Sequence, residues 1–378
     1  MCPVREYLVI FGVAIAGSYL LASIARQSAQ QLGAVAKVRD RDVHAIPTPY
    51  FGGPAILGGL LVAYLVATSL PFLSGGENSV FSDVRAVLVG GSVICLVGVI
   101  DDLFELDALS KFAGQVLAGV ITVAMGLHFV YLPLPNTYLG LDQAQAMILT
   151  VFLIVATANA MNFVDGLDGL AAGMAAIGSI AFFVYAFVLA VENGETRAVA
   201  AALLMISLAG ACVGILPHNF FPARMFIGDS GSMLLGFVLA CSAISLTGQF
   251  PATSLSEGIG GSSSSLLPAA ILPLILPFAI LTIPFLDMVM AVLRRTRAGR
   301  SPFSPDKMHI HHRLLEIGHS HRRAVLLMYA CAALVAFGVV AIGLFSGWQL
   351  FVAIAVLTAV IAAAIFLLPR LEEKLWSS

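Results

Sequence analysis

The sequence predicts an all-α fold: a polytopic integral membrane bundle of about eleven transmembrane helices. Three observations carry this. Aliphatic, aromatic and Cys residues make up 60% of the 378 residues and Asp, Glu, Lys and Arg only 11%, against about 25% charged in a soluble domain. The mean hydropathy is +0.99. The apolar residues also gather into blocks near the roughly 20 residues that a helix needs to cross a bilayer. Together these exclude a soluble enzyme, a disordered chain and a nucleic-acid binder.

In chain order the spans are 6–26, 52–73, 84–100, 109–127, 146–163, 167–190, 198–217, 231–248, 266–293, 323–345 and 348–368. The first lacks a small-residue cleavage site after its apolar run and reads as a retained helix, not a signal peptide. The fifth and sixth are divided only by the polar knot around Asp165 and Asp168, so nine or ten spans is the alternative. The loop Ser254–Ser265, rich in Gly and Ser, reads as a flexible connector. The whole chain, 1–378, forms one membrane domain that contains a basic, His-rich loop at 294–322. Cys2, Cys95, Cys212, Cys241 and Cys331 are scattered with no CxxC spacing, which suggests neither a zinc site nor a disulfide framework.

Charge orients the bundle. Of the 19 Lys and Arg residues, Arg5, Arg85 and Arg197 fall in the N-terminus and even loops, and the other 16 fall in the odd loops and the C-terminus. Cytoplasmic loops carry the Lys/Arg excess. The N-terminus therefore lies outside and the C-terminus in the cytoplasm.

The unusual carboxylates sit on that cytoplasmic side. Ionisable groups near a bilayer are functional candidates by default. Asp101 and Asp102 end the third span. Adjacent carboxylates repel unless they share a cation, and Mg2+ takes one or two carboxylates plus phosphate oxygens. Asn159, Asn162, Asp165 and Asp168 recur every third residue, which drifts by about 60° per step on an unbroken helix. Gly166 and Gly169 are expected to break that helix and let the side chains converge. Asp229 and Ser230 either cap the eighth helix or place a metal ligand at a helix N-terminus, a site that also favours phosphate. Phe226 offers a stacking surface for a base. The ninth loop holds His309, His311, His312, His319 and His321 among arginines. A cationic loop lying on anionic lipid accounts for the arginines but not for five histidines. Phosphate binding is preferred over zinc, because no Cys accompanies them.

These segments resemble the polyprenyl-phosphate N-acetylhexosamine-1-phosphate transferases, the family containing WecA, TagO and MraY. The matches are HAIPTPYFGG from His44, Asp101-Asp102 through Lys111 and Gln115, NAMNFVDGLDGLAAG from Asn159, NFFPARMFIGDSGS from Asn219, and HIHHRLLEIGHSHR from His309. The last is most like the actinobacterial WecA type. The resemblance implies a reaction in which UDP-GlcNAc and polyprenyl phosphate (undecaprenyl or decaprenyl) give polyprenyl-diphosphate-GlcNAc and UMP, with Mg2+ or Mn2+. It implies a bacterial plasma-membrane location, a cytoplasmic active site, and allows a homodimer among membrane lipids.

The resemblance also implies roles. Asp229 is the expected metal ligand, with Asp102 beside it, and Asp101 and Asp102 form the catalytic pair. Asn219, Lys111, His309, His311 and His312 complete the catalytic set. Asn159, Asn162, Asp165, Asp168, Phe226, His44 and Arg313 form the substrate-binding set. Two departures stand out. Glu105 replaces the third acid of the DDxxD form seen in some relatives. Ile46-Pro47-Thr48 stands where MraY enzymes carry a Lys, which favours the GlcNAc branch. Asp101 or Asp102 as general base, or as covalent nucleophile, both remain open. The alternatives are another UDP-N-acetylhexosamine donor or, in a different class, a lipid-linked sugar transporter. The transporter would need mid-span charges, and Asp287 is the nearest example.

Overall fold

The structure is a computed structural model that describes residues 3–36, 47–75, 78–134, 137–191, 196–247, 318–345 and 347–376, with isolated residues between 272 and 299. The order is α1 (Pro3–Leu32), α2 (Gly52–Ala67), α3 (Pro71–Ser74), α4 (Asn78–Phe104), α5 (Ala108–Ala124), β1 (Tyr131–Leu134), β2 (Thr137–Gly140), α6 (Gln143–Val164), α7 (Leu170–Val191), α8 (Thr196–Asn219), α9 (Gly228–Thr247), α10 (His321–Leu344) and α11 (Trp348–Trp376).

Ten of the eleven expected spans correspond to helices. The remaining one, 266–293 with Asp287, lies outside the described residues apart from isolated positions. Eight helices among the described residues are long and apolar enough to cross a membrane, which makes this a multi-pass membrane protein. α2 and α5 are apolar but only 16 and 17 residues long. The expectation of an all-α chain is corrected at one point. Tyr131–Leu134 and Thr137–Gly140 pair as two antiparallel strands, with Tyr131 opposite Gly140 and Leu134 opposite Thr137. Pro133 and Pro135 explain it, because each lacks the N–H that a helix interior requires.

Helix starts follow local chemistry. Asp142 opens α6 with a capping box: its carboxylate accepts the Gln145 N–H at 2.8 Å, and the Gln145 side chain accepts the Asp142 N–H at 3.2 Å. These bonds satisfy two of the donors that a helix N-terminus leaves free. The break at Asp165–Gly169 divides α6 from α7, and Gly169 takes a left-handed φ of 77°.

α9 is the axis of the bundle. Every residue of its apolar window is buried, whereas none is in α11. α9 packs against α2, α4, α6 and α8, and α11 rests on α10. A helix enclosed on all sides is largely apolar, and the one charged residue of α9, Asp229, sits at its N-terminus. That terminus is where the ends of its neighbours meet.

Candidate active site

α4 ends in the pair Asp101-Asp102. Asp101 closes its own helix: Oδ1 accepts the Leu106 N–H at 2.7 Å and its carbonyl accepts the Glu105 N–H at 2.9 Å. Asp107 then starts α5, accepting the Ser110 hydroxyl at 2.6 Å and the N–H groups of Leu109 and Ser110. The Ser110 hydroxyl and backbone hold this exposed carboxyl below its usual range. The cap fixes where α5 begins, and so places Lys111 in its first turn. From there Lys111 Nζ donates to Asp101 Oδ2 at 2.9 Å and to Asp229 Oδ2.

Asp102 turns the other way, onto the start of α9. Its Oδ1 accepts the Asp229 N–H at 2.9 Å and its Oδ2 the Ser230 N–H at 3.3 Å. The first N–H groups of a helix have no partner within it, and the helix dipole favours an anion there. Gly228 makes this approach feasible twice over. Its φ is 67°, and a Cβ at this position would lie 2.6 Å from Asp102 Oδ2. Asp229, the next residue, accepts Asn162 Nδ2 at 2.5 Å on Oδ1, and the same amide donates to Ser232 Oγ at 2.9 Å.

The every-third-residue set Asn159, Asn162, Asp165 and Asp168 falls into different environments. Asn159 pairs reciprocally with Gln115 of α5, donating to Oε1 at 2.6 Å and accepting at 3.3 Å. That pair lies one turn deeper than Asn162 and Lys111. Asp165 caps α6 beside the cluster. Burial, then the charges of Asp229, Asp102 and Asp168, hold its carboxyl well above the ordinary aspartate range. Asp168 is buried and accepts the Ala223 N–H at 2.9 Å, which ties the α6–α7 turn to the loop before α9. The expected convergence of four side chains is thus corrected to two, Asn162 and Asp165. α6 stays helical through Val164, so the drift around the helix turns Asn159 away, and Asp168, beyond the helix end, accepts the Ala223 N–H instead.

The loop 220–227 carries Phe226. Its N–H donates to Pro49 O at 2.9 Å, and its carbonyl accepts the Gly52 N–H at 3.2 Å. The segment 47–53 therefore crosses the start of α9. The Phe226 ring sits 6.0 Å from that of Tyr50 at 46°. Asn219 is buried at the end of α8 and donates to Met225 O at 3.0 Å, closing the loop from within. His44, His309, His311, His312 and Arg313 lie outside the described residues.

Asp101, Asp102, Asp165 and Asp229 thus gather at one end of the bundle, with Lys111 bonding Asp101 and Asp229. Like charges held this closely in a partly desolvated site repel strongly. The donor set is all oxygen, which suits a hard divalent cation. Among the described residues no three Asp, Glu, His or Cys side chains form a ready-made cage. The residues present therefore fit Mg2+ held by one or two carboxylates and completed by substrate oxygens, the usual arrangement for that ion. Sequence reasoning gave no role to Gln115, Ser232 or Tyr329. Gln115 and Ser232 lie inside motifs, whereas Tyr329 is one aromatic residue in an apolar helix and carries no local signal.

Residues 84–247 match Glycosyl transferase family 4, and this stretch contains every site element from α4 to α9. The chain is 46% identical over 341 residues to the decaprenyl-phosphate N-acetylglucosaminephosphotransferase of Mycobacterium tuberculosis (strain ATCC 25618 / H37Rv), covering 89% of this chain and 82% of that one. It is 43% identical over 375 residues to the protein of the same name from Mycolicibacterium smegmatis, covering 97% and 90%. It is 31% identical over 325 residues to the probable undecaprenyl-phosphate N-acetylglucosaminyl 1-phosphate transferase of Bacillus subtilis, covering 85% and 81%. The chain therefore belongs to glycosyl transferase family 4, the family of polyprenyl-phosphate N-acetylhexosamine-1-phosphate transferases, and is an enzyme of that class.

Proposed function

We propose that the protein transfers GlcNAc-1-phosphate from UDP-GlcNAc to polyprenyl phosphate, giving polyprenyl-diphosphate-GlcNAc and UMP. The acceptor is undecaprenyl or decaprenyl phosphate, as in the names of the relatives, and the product begins a cell-envelope glycan. The observation that carries the reading is the junction of Asp101, Asp102 and Asp229 with Lys111 at the N-terminus of α9. This is where a diphosphate would meet a cation, an ammonium group and helix N–H groups together. The reading includes Mg2+ dependence, eleven spans, a plasma-membrane location and a cytoplasmic site, the last from the 16-to-3 distribution of Lys and Arg.

Phosphoryl transfer depends mainly on positioning and charge neutralisation. A phosphate oxygen of the lipid attacks the β-phosphorus of UDP-GlcNAc. A new O–P bond forms, the bond from that phosphorus to the bridging oxygen breaks, and UMP leaves with the bridging oxygen. Asp229 would hold Mg2+, which would supply charge neutralisation on the diphosphate. Lys111 balances the remaining charge, and Asn162 orients the Asp229 carboxylate through its 2.5 Å bond. Phe226 lies at the rim of the cluster and stacks on the uracil.

A phosphate monoester has a second pKa near 6, so the acceptor is largely dianionic at neutral pH and needs no strong base. Both oxygens of Asp102 already accept backbone N–H groups. That favours direct attack by the lipid over a covalent intermediate on Asp102.

The test is UMP release by the purified protein in detergent with polyprenyl phosphate and Mg2+, comparing UDP-GlcNAc, UDP-GalNAc and UDP-MurNAc-pentapeptide. The expected result is release with UDP-GlcNAc alone, abolished by EDTA. Release from another donor overturns the sugar assignment, and none from any donor by folded protein overturns the reaction.

A further inference from the structure

α10 reaches the site from outside the aspartate cluster, through three contacts. The Tyr329 hydroxyl donates to the Gly169 carbonyl at 2.5 Å. Arg322 Nε donates to the Phe221 carbonyl at 3.2 Å. The His321 ring stacks on Phe221 with centroids 4.4 Å apart and planes 21° apart. The first contact grips the α6–α7 turn and the other two grip the loop before α9. Turn and loop are joined in their own right by Asp168, which accepts the Ala223 N–H. The three segments form a closed ring of contacts. Asp165 leaves one side of it and Phe226 the other.

The sequence is cut to fit the phenol. A Cβ at Gly173 would lie 2.0 Å from the Tyr329 oxygen and its ring carbon, and one at Gly169 would lie 3.4 Å from that oxygen. Gly169 and Gly173 are one helical turn apart, so their faces align and form a slot flush with the backbone of α7. The Gly169 carbonyl also accepts the Gly173 N–H at 2.9 Å, the first bond of α7. The hydroxyl therefore bonds at the point where the left-handed turn becomes helix.

We infer that Tyr329 is a positioning residue for the nucleotide-sugar donor: its hydroxyl fixes the Asp165–Gly169 turn against the loop that carries Phe226. The role rests on the reaction proposed above. On that reading it acts on donor binding, because Asp165 and Phe226 belong to the set expected to hold the donor, whereas Asp101, Lys111 and Asp229 are held by bonds that do not pass through α10.

The test uses the full chain with Tyr329→Phe, which keeps the ring and removes only the oxygen, and Gly173→Ala, which displaces the phenol. One lost hydrogen bond corresponds to roughly a three- to tenfold change. The expected result for both variants is a KM for UDP-GlcNAc raised about fivefold, with kcat and the KM for lipid acceptor unchanged within about twofold. A purely structural role would lower kcat through loss of active protein and leave the donor KM alone. Backbone hydrogen exchange is read in parallel. Tyr329→Phe should speed exchange in peptides covering 164–173 and 219–226 and leave α9 peptides as they are. An unchanged donor KM in Tyr329→Phe overturns the positioning role. If the wild type releases no UMP, the proposed reaction fails instead, and exchange still decides: unchanged rates in those two peptides overturn the coupling.

Discussion

The two ends of the bundle treat carboxylates in opposite ways. At the end away from the site, Glu6 of α1 is buried and accepts the Phe72 N–H at 2.9 Å and the Leu73 N–H at 3.1 Å, capping α3. Asp83 of α4 accepts the Ser245 hydroxyl of α9 at 2.6 Å. The Glu6 carboxylate receives neutral donors, and Asp83 receives one from Ser245. At the other end, 18 residues further along α4 and roughly 27 Å away by helical rise, four acids lie together and Lys111 bonds two of them. A structural carboxylate needs donors. A crowd of carboxylates needs a cation, and this contrast identifies the functional end without reference to any relative.

The largest effect expected from the contrast is at Asp229. Asp229→Ala should lower UMP release about a thousandfold or more, because it removes the proposed ligand of the cation, and a group that neutralises developing charge in a desolvated site typically contributes that much. Insertion and thermal unfolding in detergent should stay near wild type, since the substitution removes an acid from a repelling group. Turnover within tenfold of wild type would break the comparison. Glu6→Ala should do the reverse. Removing a buried charged acceptor from two N–H groups costs about 2 kcal/mol, seen as a lower unfolding temperature, while kcat per folded molecule stays the same.

Asp165 sharpens the comparison, because burial and its acidic neighbours penalise its charge. Its carboxyl is raised by burial and by Asp229, Asp102 and Asp168. The sign follows. An acid with a folded-state pKa above its unfolded value destabilises the fold once pH exceeds the unfolded value, near 4. The loss grows until pH passes the raised folded value. Asp165→Asn should therefore raise the unfolding temperature at neutral pH in EDTA, with no gain below about pH 4, and should lower turnover. Equal stability of variant and wild type at both pH values would show that Asp165 is not penalised.

Much of this was legible in the sequence, for identifiable reasons. Composition and block length suffice for membrane helices, because the bilayer sets one length for all of them. Asp101, Asp102, Asn162 and Asp229 were legible because charged and amide groups near a membrane are costly and need a purpose, and Lys111 was legible only through the resemblance. The roles of Asn159, Asp168 and Asn219 were not. Each carries a side chain that suits a substrate equally well, and only the fold reveals that Asn159 faces Gln115, Asp168 faces Ala223 N–H and Asn219 faces Met225 O. The two paired strands were missed because a 4-residue strand leaves almost no periodic trace. Tyr329 was missed because its partners, Gly169 and Gly173, lie about 160 residues away and offer a carbonyl and an empty space.

The smallest effect belongs to Ser245, and it tests the comparison at its weakest point. Ser245 sits near the end of α9, the helix whose start carries Asp229, so a site that depended on rigid transmission along α9 would register a change there. The Ser245 hydroxyl is buried and donates to Asp83. Ser245→Ala removes that one donor and adds no bulk, so it should cost about 1 kcal/mol of stability. Turnover and the donor KM should not change, because the Asp229 carboxylate is fixed locally by Asn162 and Lys111, and its N–H by Asp102. A donor KM or kcat shifted more than about threefold by Ser245→Ala would mean that the two ends of α9 are mechanically one unit. The separation between capping acids and catalytic acids would then be a matter of position and not of function.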